Sequence, residues 1–139
     1  MTKVPVLIVD DDQIDRYLLK RELESLASVD LAIHEAKNGA DAVVFFEQYE
    51  ENKRKFGDDF PPLKIFLDIN MPLLDGFGFL EAFTELRTRH DLGATTVMMI
   101  TTSGHQRDML RSKAYDFVGG YLMKGDYSIQ ELEAAVTAA

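Results

Sequence analysis

KIFLDINMPLLDG, residues 64–76, decides the fold. An apolar run, Ile65-Phe66-Leu67, ends on an acid, Asp68, and Met71-Pro72 then breaks the chain. Leu63 to Leu67 reads as a buried strand. A carboxylate behind such a strand is costly unless it is paired or sits in a turn. Its partners have to come from elsewhere in the chain.

Outward from this stretch, strands and helices alternate. Val4 to Val9 is a short apolar run that reads as a strand buried on both faces. Ile14, Leu18, Leu19, Leu23 and Leu26 follow at helical spacing, with Asp12 as N-cap and Asp15 in the first turn. Leu31 to Ala36 reads as the second strand. Asn38-Gly39 is read as a strand-to-helix loop rather than a hairpin turn, because Ala42, Val43, Phe46 and Tyr49 continue at helical spacing. EENKRKFGDDFPP, residues 50–62, is charged and ends in a double proline, so it reads as an exposed loop.

Beyond the opening stretch, Phe77 to Arg87 is a helix with Leu80, Phe83 and Leu86 on one side. Thr95 to Ile100 is the fourth strand. Ser103 and Gln106 resemble a capping box for a helix over 104–118, with Leu110, Ala114, Phe117 and Val118 inward and Gly119-Gly120 as its stop. Tyr121 to Met123 is a short fifth strand. Ser128 and Glu131 form a second capping box, for a last helix over 128–138 with Ile129, Leu132 and Val136 inward.

Five strands alternating with five helices predict an α/β fold, a parallel sheet with helices on both faces. Ligands in such folds bind outside the carboxyl ends of the strands. The residues arriving there are Asp10, Asp11 and Asp12, then Asp68, then Thr101, Thr102 and Ser103, then Lys124. Singly, Asp12 reads as a cap, Thr101 as an ordinary strand residue and Lys124 as solvated. Together they bring carboxylates, a hydroxyl and an ammonium to one edge. Crowded carboxylates repel unless a cation intervenes, and all-oxygen ligation favours Mg²⁺ or Mn²⁺.

Composition narrows the classes. The 139 residues suggest one domain, 1–139, and 46% hydrophobic content supplies a core. A net charge of -9, from 24 acidic and 15 basic residues, argues against a nucleic-acid surface. The absence of cysteine excludes disulfides, thiolate metal sites and cysteine nucleophiles. MTKVPVLIVDDD reads as neither a signal peptide nor a membrane span, so a cytoplasmic protein is expected. His34, His90 and His105 lack metal spacing and are expected at the surface or in loops. Gly76-Phe77-Gly78 is too short for a dinucleotide loop, and Lys53-Arg54-Lys55 reads as a solvated helix end.

VLIVDDD at 6–12, FLDINMPLLDG at 66–76, MMITTS at 98–103 and GYLMKG at 120–125 resemble the receiver domains of response regulators in two-component signalling. The resemblance covers essentially the whole chain. It implies a flavodoxin-like (CheY-like) doubly wound sheet of strand order 2-1-3-4-5. It implies a phosphorylatable aspartate at Asp68, with Asp10 and Asp11 helping to hold Mg²⁺ and Asn70 adding its backbone carbonyl. Thr101 matches the hydroxyl that grips the phosphoryl group, Lys124 the lysine that pairs with it, and Tyr121 the aromatic switch. The implied partners are a sensor histidine kinase or a histidine phosphotransfer protein, with a downstream protein receiving the signal. Such a protein is a phosphoacceptor in a phosphorelay, not a metabolic enzyme.

Gly125 follows Lys124 where the family usually has proline. Typical members hold that bond cis. A non-proline cis bond costs roughly 3 kcal/mol, so a trans bond and a looser loop are expected. With no output domain expected after the last helix, the chain reads as a stand-alone receiver. DDDQIDRYLL also resembles the single-domain receivers that serve bacterial phytochromes, which tend to dimerise. Two rival readings stand beside this one. Haloacid-dehalogenase-type phosphatases also use a strand-end aspartate with Mg²⁺, but carry an acid where this chain has Asn70. A binding module without phosphorylation is the other, against which the intact set of Asp10, Asp11, Asp68, Thr101 and Lys124 argues.

Overall fold

The computed structural model describes residues 3–137. Five strands form one sheet: β1 (Val4–Val9), β2 (Leu31–Ala36), β3 (Lys64–Leu67), β4 (Thr96–Thr101) and β5 (Val118–Met123). Their order is β2-β1-β3-β4-β5 and every neighbouring pair is parallel. Six helices connect or flank them: α1 (Gln13–Glu24), α2 (Gly39–Glu47), α3 (Tyr49–Phe56), α4 (Gly76–Arg89), α5 (Gln106–Ser112) and α6 (Ile129–Thr137). The expected fold class and strand order are observed. The residue at 138, where the last helix was expected to end, lies outside the described residues.

Successive side chains of a strand point to opposite faces, and the two cores follow that period. Val6 and Ile8 of β1, with Phe66 and Ile100, pack under α1 and α6 against Leu19, Leu23, Leu132 and Val136. Leu7 and Val9, with Ile65, Leu67, Val97 and Met99, face the other way. There they meet Phe46 of α2 and Phe79 and Phe83 of α4. The Phe46 and Phe83 rings meet edge-on with centroids 5.2 Å apart. Burying a phenylalanine of this kind contributes about 3 kcal/mol.

Local chemistry sets the helix starts. Asp12 Oδ1 accepts from the N–H groups of Ile14 and Asp15, and Asn38 Oδ1 from that of Asp41. Ser128 and Glu131 form the reciprocal capping box that opens α6. The strand-to-helix reading of Asn38-Gly39 therefore holds.

Several expectations need correction. The loop expected over 50–62 is helical up to Phe56, as part of α3. Tyr49, Asn52 and Phe56 fall on its inner side, and the buried Asn52 amide donates to the Phe45 carbonyl at 2.7 Å. Lys53 Nζ then donates to the carbonyls of Gly57 and Phe60, closing the segment. The helix expected over 104–118 is only α5. Ser103 does not cap it, because its hydroxyl donates to the Asp108 carboxylate instead. Leu110 and Ala114 are exposed, and Gly119-Gly120 belongs to β5 rather than stopping a helix. Gly120 suits that strand because a Cβ there would meet the Met98 side chain at 2.8 Å.

On α1 the buried stripe is Leu19 and Leu23, while Ile14 and Leu18 are 68% and 52% exposed. Ile129 of α6 is likewise exposed. His34 is a strand residue. Its ring lies 4.7 Å from that of Phe56, and its Nε2 is 2.9 Å from the Asp59 carbonyl oxygen.

Candidate functional site

The carboxyl ends of β1, β3, β4 and β5 meet at one edge of the sheet, and the polar residues stand there. Asp10 and Asp68 follow directly on β1 and β3 and are both buried, at 4% and 6% exposure. The N–H of Asp68 donates to the Val9 carbonyl at 3.0 Å, so the sheet ladder itself carries Asp68 beside β1. Asp68 Oδ1 accepts from the N–H of Ile69 at 2.7 Å. Asp10 Oδ1 accepts from the N–H of Asp12 at 2.9 Å. Arg16 of α1 donates to the Asp10 carbonyl at 2.6 Å and ties the helix to the strand end.

Lys124 closes the site from β5. Its backbone N–H donates to the Thr101 carbonyl at 2.9 Å. Its Nζ lies 2.6 Å from Asp10, 2.9 Å from Asp15 and 3.1 Å from Asp68. Burial alone would lower the lysine pKa. Hydrogen bonds to Asp10 and Asp15 and the charge of Asp68 outweigh it and hold the group above its ordinary value. Asp10 is pushed up from the ordinary carboxylate value by burial, with Asp68 adding to the rise and Lys124 opposing it.

The Lys124-Gly125 bond is trans, as expected for a non-proline bond. Gly125 has φ 75°, a left-handed conformation that glycine adopts without cost. The lysine nevertheless reaches both strand-end aspartates.

Asp10, Asp11 and Asp68 offer carboxylate oxygens that all lie within 4.8 Å of one another. Two of the three are buried, and the Lys124 ammonium offsets only part of their charge. Hard oxygen donors with surplus negative charge suit a small divalent cation. Asn70 stands exposed two residues after Asp68.

Thr101 is fully buried at the end of β4, and its Oγ1 accepts from the N–H of Ser103 at 3.3 Å. Tyr121 sits on β5 opposite Met99, half-buried, and its hydroxyl donates to the Ser103 carbonyl at 2.6 Å. Burial raises its phenol pKa. Thr101 and Tyr121 are thus linked through one loop residue, Ser103. An open groove of about 610 Å³ reaches the site between α1 and the β5–α6 loop, lined by Asp10, Asp15, Leu18, Lys124 and Tyr127 among others.

Sequence reasoning treated Asp15 only as a first-turn acid. Its place beside Lys124, 109 residues away, was readable only once α1 was set against the end of β5. Arg16 was missed because a side chain reaching six residues back to a backbone carbonyl follows no motif.

The family profile of the response regulator receiver domain matches residues 6–137. The chain belongs to that family. It is 31% identical to the chemotaxis protein CheY of Halobacterium salinarum over 86% of this chain and 82% of that one. It is 29% identical to the response regulator Rcp1 of Synechocystis, over 77% and 67% of the two chains. The crystal structure of the Mn²⁺-bound form of Rcp1 superposes with a TM-score of 0.75 and 26% identity, covering 99% of this chain and 97% of that one. A two-component response regulator from Cytophaga hutchinsonii, 22% identical, shares the fold with a TM-score of 0.79 over 96% and 95% of the chains. The receiver is therefore of the CheY type. Among its described residues, no helix is long and apolar enough to cross a membrane.

A cation at the three carboxylates is expected to stabilise this receiver. At ten times its Kd it would add about 1.4 kcal/mol. Thermal melts with and without Mg²⁺ at pH 7 should show an upward shift in wild type and a smaller one in Asp11→Ala. Protons compete for Asp10, whose pKa lies above 3.8, so the shift should fade as pH drops toward that range. The metal-free fold behaves oppositely. Its native state binds the Asp10 proton more tightly than the unfolded chain does, so it loses stability as pH rises from 3.8 through the native pKa.

Proposed function

We propose that this receiver accepts a phosphoryl group on Asp68 from a phosphohistidine of a sensor histidine kinase or histidine phosphotransfer protein. The observation that carries the reading is the meeting of Asp10, Asp11, Asp68 and Lys124 at one edge of the sheet. Asp68 is the nucleophile. Its Oδ2, the oxygen that faces Lys124, attacks phosphorus, the N–P bond breaks and the imidazole leaves. Asp10, Asp11 and Asp68, with the backbone carbonyl of Asn70, would hold Mg²⁺. The Mn²⁺ named for Rcp1 suits the same oxygens. A bound divalent ion offsets the charge of the phosphoryl oxygens. Lys124 donates to those oxygens and Thr101 adds its hydroxyl, in a reaction where positioning and charge carry most of the catalysis.

In this reading the protein promotes its own phosphorylation and dephosphorylation and is no metabolic enzyme. It works in the cytoplasm. Exposed Ile14, Tyr17 and Leu18 on α1 and Leu73 after β3 give the donor protein apolar surface around the site. A panel of phosphorylated histidine kinases, with label transfer followed in Mg²⁺ and in EDTA, tests it. Transfer from at least one kinase, lost in EDTA, is expected. No transfer from any donor, acetyl phosphate included, would refute it.

The signal leaves through α5, β5 and α6, toward a downstream protein or a second copy of the chain. Thr101 turns toward the phosphoryl group, and Tyr121 moves inward behind it, releasing the Ser103 carbonyl. Amide hydrogen exchange with and without beryllofluoride should change at 101–125. Changes confined to α1 would eliminate this route.

A further inference from the structure

Asp15 lies outside the cation-binding group, yet it holds the same ammonium. An ammonium has three N–H donors, and at Lys124 there are three carboxylates to receive them: Asp10, Asp15 and Asp68. Asp10 and Asp68 also belong to the group whose oxygens converge with Asp11, and Asp15 does not. A divalent cation there draws on the charge of Asp10 and Asp68 and repels the ammonium. Among the described residues, Asp15 is then the one ion-pair partner of Lys124 that the cation leaves untouched.

Lys124 is held at its backbone N–H by the Thr101 carbonyl, but that bond gives its four-carbon side chain no direction. It is followed by exposed Gly125 at φ 75°, so the direction of the ammonium depends on what its side chain meets. Asp15 is itself well placed to act as an anchor. Its N–H is held by the Asp12 cap, and the next residue, Arg16, is bonded to the end of β1.

We infer that Asp15 is a positioning residue of the phosphoryl site. It keeps the Lys124 ammonium at the rim when a cation occupies the aspartates, ready for the incoming phosphoryl oxygens. This rests on Asp68 being the phosphoacceptor.

The test uses the full chain with ¹⁵N-labelled lysine, saturated with Mg²⁺. The ammonium signal of Lys124, assigned by its loss in Lys124→Arg, is expected to stay visible in wild type and Asp15→Glu. In Asp15→Asn it should vanish through fast exchange with water. Phosphorylation by acetyl phosphate should slow about fivefold in Asp15→Asn, the scale of a partly exposed ion pair. A Lys124 signal that persists in Asp15→Asn, or vanishes from the Mg²⁺-loaded wild type, would overturn the role of Asp15. So would equal phosphorylation rates. A wild type that takes no phosphoryl group fails the functional reading instead, while the ammonium signal still reports on Asp15 by itself.

Discussion

Asp68→Asn is expected to take up no phosphoryl group from acetyl phosphate and Mg²⁺ while remaining folded. The carboxylate at this position is the proposed nucleophile, and an amide in its place has no anionic oxygen to attack phosphorus. The substitution also removes one of the buried charges that calls for a cation. The fold should tolerate it. The side-chain amide would keep an oxygen for the Ile69 N–H, and Lys124 would keep Asp10 and Asp15. Neutralising position 68 also relieves Asp10, which Asp68 now repels. Intact-mass measurement should show a phosphoryl adduct on wild type alone, with the metal-free variant melting near wild type. Equal adducts on both proteins would refute the assignment.

Gly76→Ala is expected to be strongly destabilising. Gly76 opens α4 directly beneath the site, and its N–H donates to the Ile69 carbonyl at 2.7 Å. A Cβ there would stand 2.4 Å from the Asp68 carbonyl oxygen and 2.8 Å from Ile69 Cα. Both are backbone atoms of the strand end, so neither can turn aside as a side-chain tip would. Overpacking of this kind costs about 3 kcal/mol. For a chain of this size that lowers the melting temperature by roughly 10 °C. The same shift displaces Asp68, so Mg²⁺ stabilisation should fall as well. Gly93→Ala is the control, since nothing lies within 4 Å of its added Cβ. Equal melting points for the two variants would mean that the β3–α4 turn is not the tight contact described.

Much of this arrangement was legible in the sequence, because the residues that end strands are also the residues of the candidate site. Asp10, Asp68, Thr101 and Lys124 each follow a readable apolar run, and alternation of strands and helices brings such ends to one edge. The strand order came from the resemblance, not from periodicity. The failures have a common cause. Helix α3 was hidden because its inward side is narrow. Only Tyr49, Asn52 and Phe56 point in, and the charged residues between them mask the spacing. Helix α5 was overextended because the chain leaves it after Ser112 through tight turns before β5, and because Ser103 bonds to Asp108, five residues on, instead of capping. Gly119-Gly120 looked like a stop until Met98 on the neighbouring strand explained it. Asp15 acts across the fold on Lys124, and Arg16 reaches six residues back to the Asp10 carbonyl; neither contact has a signature in apolar spacing.

The claim that Asp68 carries the phosphoryl group has one direct measurement. An acyl phosphate is reduced by borohydride to an alcohol, so a phosphorylated aspartate becomes homoserine. Wild-type protein phosphorylated by acetyl phosphate in Mg²⁺ should be reduced, digested and sequenced by mass spectrometry. Homoserine at position 68, absent when EDTA replaces Mg²⁺, is the expected result. Homoserine at Asp10, Asp11 or another acid, with position 68 unmodified, would contradict it.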